Sequence, residues 1–465
     1  MRSRQIILTW AAFMVAFAAF GSNAATAQYR PVPQQYQEYH KPHKYLPGYS
    51  VTSNEVVHAP NFGNPMCYEC EGCSNHHGKP LLTLNDLYHE QLSPRIWGPP
   101  LLGKIQELSG VKRFDYHFYG GAEFMWWTTN SPSIQPLITA SPAGTDQELA
   151  TVLGQSTTST VFGGELFEDQ RHGGRYTGAL VLDGQDRVII EAVYTLIGDD
   201  ELFARGDAST AGAIGRPFFN STISEDDARL VVFPDLFDGR VDIRGDTKFN
   251  TFQLALRKAM GNVLGANTDY TIGYRRAKLN DSLEIFDVTN SLSGPTAGSR
   301  FEVRDTFQTR NDFDGVDLGM VMQWRRSERL SLDLLGKIAL GRSQSTVRID
   351  GRTITRPAGG DRTGTEGGLL AQTTNIGVFR DSGFSTLFEL GATLRYQFHK
   401  NVQGTLGYTF LSLTDVARVA DQLDDAVNPS QFGGGVLDGD PRPGFRLRQG
   451  NFTANGLRLG VQILF

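Results

Sequence analysis

From Phe114 to the final residue, Phe465, the chain alternates apolar with small or polar residues at a period of two, and it does so in ten separate segments. A period of two belongs to a strand whose two faces meet different surroundings. The clearest segment sets Phe384, Thr386, Phe388, Leu390, Ala392, Leu394, Tyr396 and Phe398 on one face, with Ser385, Glu389, Gly391, Thr393, Arg395 and Gln397 on the other. The last sets Leu457, Leu459, Val461, Ile463 and Phe465 against Gly456, Arg458, Gly460 and Gln462. The remaining eight lie near 114–127, 174–183, 187–197, 249–259, 268–276, 314–324, 329–340 and 401–411.

The connections alternate too. Short ones fall at 183–186, 260–266, 325–328 and 399–400, and long ones near 128–173, 198–248, 277–313, 341–383 and 412–452. Hairpins with short turns at one end and long loops at the other, in even number, are the plan of a transmembrane antiparallel β-barrel. The expected fold is therefore all-β, a barrel of about ten strands with five long extracellular loops. Twelve strands are the alternative if 157–168 forms an extra hairpin arm.

A soluble sandwich or lipocalin also alternates, with its apolar face inward. Three features favour the membrane barrel. First, Arg2 and Arg4 precede an apolar run from Ile6 to Phe20 and an Ala25-Thr26-Ala27 site, the pattern of a cleaved export signal over residues 1–27. Second, the sequence closes on an aromatic residue, Phe465. Third, aromatics gather toward segment ends, as at Trp126, Trp127, Trp324, Phe384 and Phe398, like the girdles of membrane barrels. Past residue 20 no run approaches the ~18 apolar residues of a spanning helix. The net charge of −6, spread along the chain, argues against a nucleic-acid partner.

Residues 28–112 differ in kind and read as a periplasmic, partly disordered segment, rich in Pro, Gln, Tyr and His at its start. It holds all three cysteines, Cys67, Cys70 and Cys73, with His76 and His77 just behind. One reading is a local disulfide with a leftover thiol for an intermolecular bridge. The other is a soft or borderline metal held by thiolates and imidazoles. No other cofactor is expected.

If the apolar parity of residues 113–465 faces outer-membrane lipid, the opposite parity faces a lumen. That parity carries Glu123, Glu191, Asp317, Asp333 and Glu389, together with Arg175, Arg257, Arg275, Lys337, Arg395 and Arg458. Charges confined there must pair, because unpaired ones cost several kcal/mol. A barrel of about ten strands has little room beyond its own side chains, so a wide diffusion pore is disfavoured. The expectation is a monomeric barrel with a structural or narrow, gated permeation role. A second reading is a module whose loops bind sugar, protein or divalent ions, for which Glu225-Asp226-Asp227 and Asp421, Asp424 and Asp425 supply carboxylates. A third is a rim hydrolase using His172. It lacks a convincing partner in the sequence, and no enzyme is expected. Asp415, Arg418, Asp421 and Gln422 are expected to pair with Arg380 and Asp381, folding a loop over the mouth.

The barrel half resembles the BBP-type outer-membrane β-barrel proteins of planctomycete bacteria. The resemblance rests on Phe162-Gly163-Gly164, Gly173-Gly174-Arg175, Arg216-Pro217-Phe218-Phe219-Asn220, Arg310-Asn311-x-Phe313-x-Gly315 and Asn375-Ile376-Gly377 with Arg380-Asp381. It is densest in Gly407-Tyr408-x-Phe410-Leu411, Asp415-Val416-x-Arg418, Asp421-Gln422-x-Asp424 and Val427-Asn428-Pro429. It covers about 115–465 and implies location and fold, with no catalytic residues. The ending Gly460-x-x-Ile463-x-Phe465 also resembles the signal read by the outer-membrane assembly machinery, although Leu459 stands where that signal usually has a polar residue.

Overall fold

The computed structural model describes residues 115–465 except 168–169 and 184–187. The expected leader and the Cys67, Cys70, Cys73, His76 and His77 cluster lie outside the described residues.

In chain order the strands are β1 (Asp115–Thr129), β2 (Ser133–Ser141), β3 (Ser159–Glu165), β4 (Gln170–Asp183), β5 (Val188–Asp207), β6 (Ala213–Asn220), β7 (Glu225–Val232) and β8 (Phe237–Val263). They continue with β9 (Ala266–Ser291), β10 (Arg300–Arg325), β11 (Leu330–Arg356), β12 (Thr363–Glu366), β13 (Gly377–His399), β14 (Val402–Val416), β15 (Ala426–Val427) and β16 (Gly450–Leu464). Ten of them close into an antiparallel ring in the order β1, β4, β5, β8, β9, β10, β11, β13, β14, β16, with β16 pairing back onto β1. The candidate extra arm at 157–168 does not join the wall, since β3 pairs with β2 in a separate sheet.

Half of the barrel strands are far longer than a membrane needs. β9, β10 and β11 have 26, 26 and 27 residues, whereas ~9–11 tilted residues cross a bilayer. Their excess length is explained by an exchange of polarity between the two faces. On β10 the outward residues near the turn end are Trp324, Met320, Leu318 and Val316, and the inward ones include Gln323 and Asp317. Further along the same strand the outward residues become Asp314, Asp312, Arg310 and Gln308, while Phe313, Phe307 and Val303 turn inward and are buried. β9 does the same, with Ile272 and Tyr274 outward and then Leu279, Leu283 and Ile285 inward. Lower down, lipid surrounds the wall and charges fill it. Higher up, water surrounds the wall and an apolar core fills it.

This exchange corrects the expected loops. Most of 277–313 is strand, with only 292–299 joining β9 to β10, and β11 and β13 occupy much of 341–383. Apolar residues on the opposite parity look like the end of a pattern, though the hydrogen-bonded ladder with β11 runs on unbroken from Arg300 to Arg325.

Three connections build a second sheet in the order β15, β6, β2, β3, with β7 also pairing β6. Its residues Ile134, Leu137, Ile138, Ile214, Phe218 and Val231 pack against inward residues of the tall wall, among them Val241, Ile243, Leu283, Ile285, Val347 and Ile349. The mouth of the ring is thus occupied by its own loops.

The band predicts where charge is tolerated. Leu318→Arg should cost about 2–4 kcal/mol of folding free energy in a lipid bilayer. Thr306→Arg, on the same face but above the band, should stay within about 0.5 kcal/mol. Urea unfolding of both variants in vesicles checks this, and equal losses would place the band elsewhere.

Candidate functional site

Inside the apolar band, eight charged side chains form one continuous chain. Asp269 Oδ2 lies 2.6 Å from Arg257 Nε, and Arg257 Nη1 lies 3.6 Å from Glu191 Oε2. Lys337 Nζ sits 3.7 Å from both Glu191 and Asp317. Arg275 reaches Asp317 at 3.6 Å and Glu389 at 2.5 Å, and Arg175 closes the chain on Glu389 at 2.7 Å. Arg175 is on β4 and Glu389 on β13, with β1, β16 and β14 between them in the ring. Their contact is therefore a strut across the lumen. Two pairs flank the chain: Arg458 with Glu123 at 3.0 Å, and Arg395 with Asp333 at 2.8 Å. Thr405 donates to Glu123, Gln253 to Asp317 and Gln323 to Asp333.

The structure thus brings together all eleven lumen charges read from the sequence. All but Arg395 are buried, and the Arg395 side chain is 12% exposed. Asp269 is the member that the sequence reading missed. It makes the count six acids and six bases, a difference of 6 − 6 = 0. Balance matters because charge in a low-dielectric interior is stable only with its counter-charge beside it. Glycines provide the room. A Cβ on Gly319 would come within 2.4 Å of Lys337 Cγ, and one on Gly460 within 2.6 Å of Glu123 Cγ.

Above the charges lies an apolar layer drawn from most of the ring, including Trp127, Phe249, Leu279, Phe313, Leu387, Leu411 and Phe452. The Phe249 and Phe452 rings stack at 4.8 Å. Trp127 and Phe452 are 1% and 0% exposed.

Next comes the 417–449 connection, which turns inward. Arg418 Nε donates to Asp281 Oδ2 at 2.6 Å, and both side chains are buried. Thr247 donates to the other Asp281 oxygen. Asn311 clamps the same segment by donating to the Ala417 carbonyl and accepting from its N–H. This corrects the expected rim pairing, since Arg418 engages Asp281 rather than Arg380 or Asp381. Arg380 and Asp381 are on the outer part of β13 and exposed, whereas Asp281 is on the inward face of β9, where the turning chain meets it.

Gln422 donates to the Arg418 and Arg448 carbonyls. Asp424 accepts from Arg442 and the Gly444 N–H. The Asp415 carbonyl accepts from Gln449. Burial raises the Asp421 carboxyl above its ordinary value, against the pull of Arg418 and Arg448.

A second ionic cluster ties the loop sheet to the wall. Arg216 on β6 bridges Asp287 at 2.9 Å and Asp305 at 2.5 Å. Asp305 also accepts the N–H groups of Leu369, Leu370 and Ala371. Burial opposes the Arg216 charge, but the two carboxylates hold its pKa above the ordinary value.

The other candidate sites fare differently. The His172 ring lies over Phe124 at 5.6 Å, on the outward face of β4. It has no acid or hydroxyl partner among the described residues. Nor, among the described residues, do three His, Cys, Asp or Glu side chains gather closely enough to hold a metal ion. Asp227 of the acidic 225–227 stretch instead accepts from Asn220. At the chain end, Phe465 N donates to the Phe118 carbonyl and the two rings lie 5.7 Å apart. Ile463 faces outward, and Gly460 sits inward against Glu123.

An antiparallel ring of ten strands with an apolar outer band and a charge-filled interior defines an outer-membrane β-barrel protein. The chain belongs to the family described as Putative beta barrel porin-7 (BBP7), which matches residues 119–465. No curated protein matches the sequence. Among solved structures, the outer membrane protease OmpT from Escherichia coli is 9% identical, with 76% of this chain and 99% of that chain covered and a TM-score of 0.33. The translocator domain of the autotransporter NalP from Neisseria meningitidis is 9% identical, with 78% and 94% covered and a TM-score of 0.19. A FadL homologue from Pseudomonas aeruginosa is 8% identical, with 76% and 90% covered and a TM-score of 0.19.

The Arg418 clamp gives a direct test. Arg418→Glu sets two carboxylates together in a buried site, which costs about 3–5 kcal/mol once a pair of this kind is broken. Limited proteolysis should then cut within 417–449 in a barrel that otherwise stays intact. Asp281→Ala should do the same, and Arg380→Glu should leave protection unchanged.

Proposed function

We propose that this protein is a closed outer-membrane platform rather than a diffusion pore. Its barrel holds a compact sheet of loops at the cell surface, with the turn end and the C-terminus toward the periplasm. One observation carries this reading. Two seals of opposite chemistry are stacked along one axis, with the buried chain of charges from Asp269 to Glu389 beneath the apolar layer around Trp127 and Phe452. An ion crossing the first must displace paired charges. Crossing the second, it must shed water in an apolar layer, where a bare charge is very costly.

The family's description contains the word porin. A gated path is the rival reading, and it requires both the 417–449 connection and the apolar layer beneath it to move.

Planar-bilayer recording of refolded, heat-modifiable protein should show no discrete conductance steps. Steps from the wild-type chain would overturn the closed reading and favour a gated path. Orientation is tested separately in a background lacking the native cysteines. Ala297→Cys at the β9–β10 connection should react with a membrane-impermeant maleimide on intact cells, and Glu328→Cys at the opposite turn should not. The reverse pattern would invert the topology.

A further inference from the structure

The wall of the barrel is uneven. β8, β9, β10, β11 and β13 have 23–27 residues, whereas β1, β4, β14 and β16 have 14–15. Above the apolar band the outward faces differ in charge as well. The short side shows mainly neutral residues, Thr128, Asn451, Thr453, Asn455, Ser412 and Thr414, with Asp415 exposed at the top of β14. The tall side shows arginines and lysines interleaved with acids, as in the pairs Arg276–Asp314, Arg304–Glu284 and Arg348–Asp350.

The strand register brings three of those arginines to one place. Asn280, Arg310, Thr346 and Arg380 lie in one row across β9, β10, β11 and β13. Gln308 and Arg348 are neighbours in the next row. These six line a surface concavity of about 470 Å³ on the outer face of the wall. Arg310 is held by Asp312 at 2.6 Å, and Arg348 by Asp350. Each guanidinium has five donors, so those contacts leave N–H groups to spare. Arg380 is exposed and makes no hydrogen bond or ion pair among the described residues. Two acids also line the concavity. Asp281 is committed inward to Arg418, and Asp246 lies 3.7 Å from Lys248. The whole Arg380 guanidinium and the terminal N–H groups left on Arg310 and Arg348 line the concavity, and guanidinium N–H groups pair well with phosphate oxygens.

Height above the apolar band selects the kind of phosphate. The band ends outward at Val316, Leu340 and Phe384. Arg310, Arg348 and Arg380 stand six, eight and four residues beyond those positions on their strands. At ~3.3 Å per residue and ~40° tilt, this is roughly 10–20 Å above the apolar boundary. A phospholipid headgroup region is only ~5–8 Å thick per leaflet, so it does not reach the row. A phosphorylated sugar headgroup does.

We propose that this concavity binds the phosphorylated saccharide headgroup of an outer-leaflet glycolipid, docking the tall side of the barrel into the headgroup layer. The assignment rests on the outward orientation of the loop end. The cysteine labelling above tests that orientation independently, and the following experiment in detergent does not depend on it.

Purified wild-type protein should retain lipopolysaccharide bearing core phosphates, read by native mass spectrometry, and its heat-modification midpoint should rise with added lipid. The triple variant Arg310→Gln, Arg348→Gln, Arg380→Gln should lose retention about tenfold or more while remaining heat-modifiable. Arg380→Gln alone, which breaks no internal contact, should lose about threefold, so a folding defect in the triple variant cannot decide the matter. Equal retention of phosphatase-treated lipid or of phosphatidylglycerol would overturn the proposal. So would unchanged retention by Arg380→Gln, or displacement of the lipid by millimolar inorganic phosphate.

Discussion

The structure depends on how little space ten strands enclose. A ring of this size has little room beyond its own inward side chains when these are long. Each inward position must therefore be chosen against residues on the opposite wall. The Arg175–Glu389 contact makes this concrete, since it joins β4 to β13 across the lumen. Glu389 receives two guanidiniums, from Arg175 and Arg275, and Lys337 stands between two carboxylates. Removing one member would take a counter-charge from each of its neighbours along the chain, which is why such a chain behaves as a unit. The small residues Gly319 and Gly460 belong to the same constraint, because the long side chains need the space a Cβ would occupy.

The second organising fact is the exchange of faces along the tall strands. Lipid demands apolar groups outside and water demands polar ones, and the ladder of hydrogen bonds is indifferent to both. β10 can thus pass from one medium to the other by swapping residue types between its faces, without a break in pairing. Above the band the barrel becomes an ordinary water-soluble shell around an apolar core. Loop strands and the Arg216 cluster fill that core.

These features were unequally legible in the sequence. The ten-membered ring followed from outward apolar parity, which is continuous through the band, and the same parity located eleven of the twelve lumen charges. Asp269 escaped because it sits three residues into β9, beside the turn, where alternation has barely begun. The extensions above the band escaped because their apolar residues change parity there, which imitates a loop. The second sheet was illegible for a different reason. β6 is buried on both faces, with only Phe219 exposed, so it shows no alternation. The partner of Arg418 was hidden by distance. Asp281 is 137 residues away, in a stretch that reads as loop once its true parity is missed.

The unbroken ladder has a consequence for how the chain finds its pairing. A one-residue slip between neighbouring strands turns each side chain to the opposite face. On β9 such a slip would push Arg275 into lipid and, at the other end, Leu283 and Ile285 into water. The same error is punished twice, by two solvents, at opposite ends of one strand. Register is therefore fixed more firmly than either half could fix it alone, and the membrane wall and its cap are coupled into one cooperative folding unit.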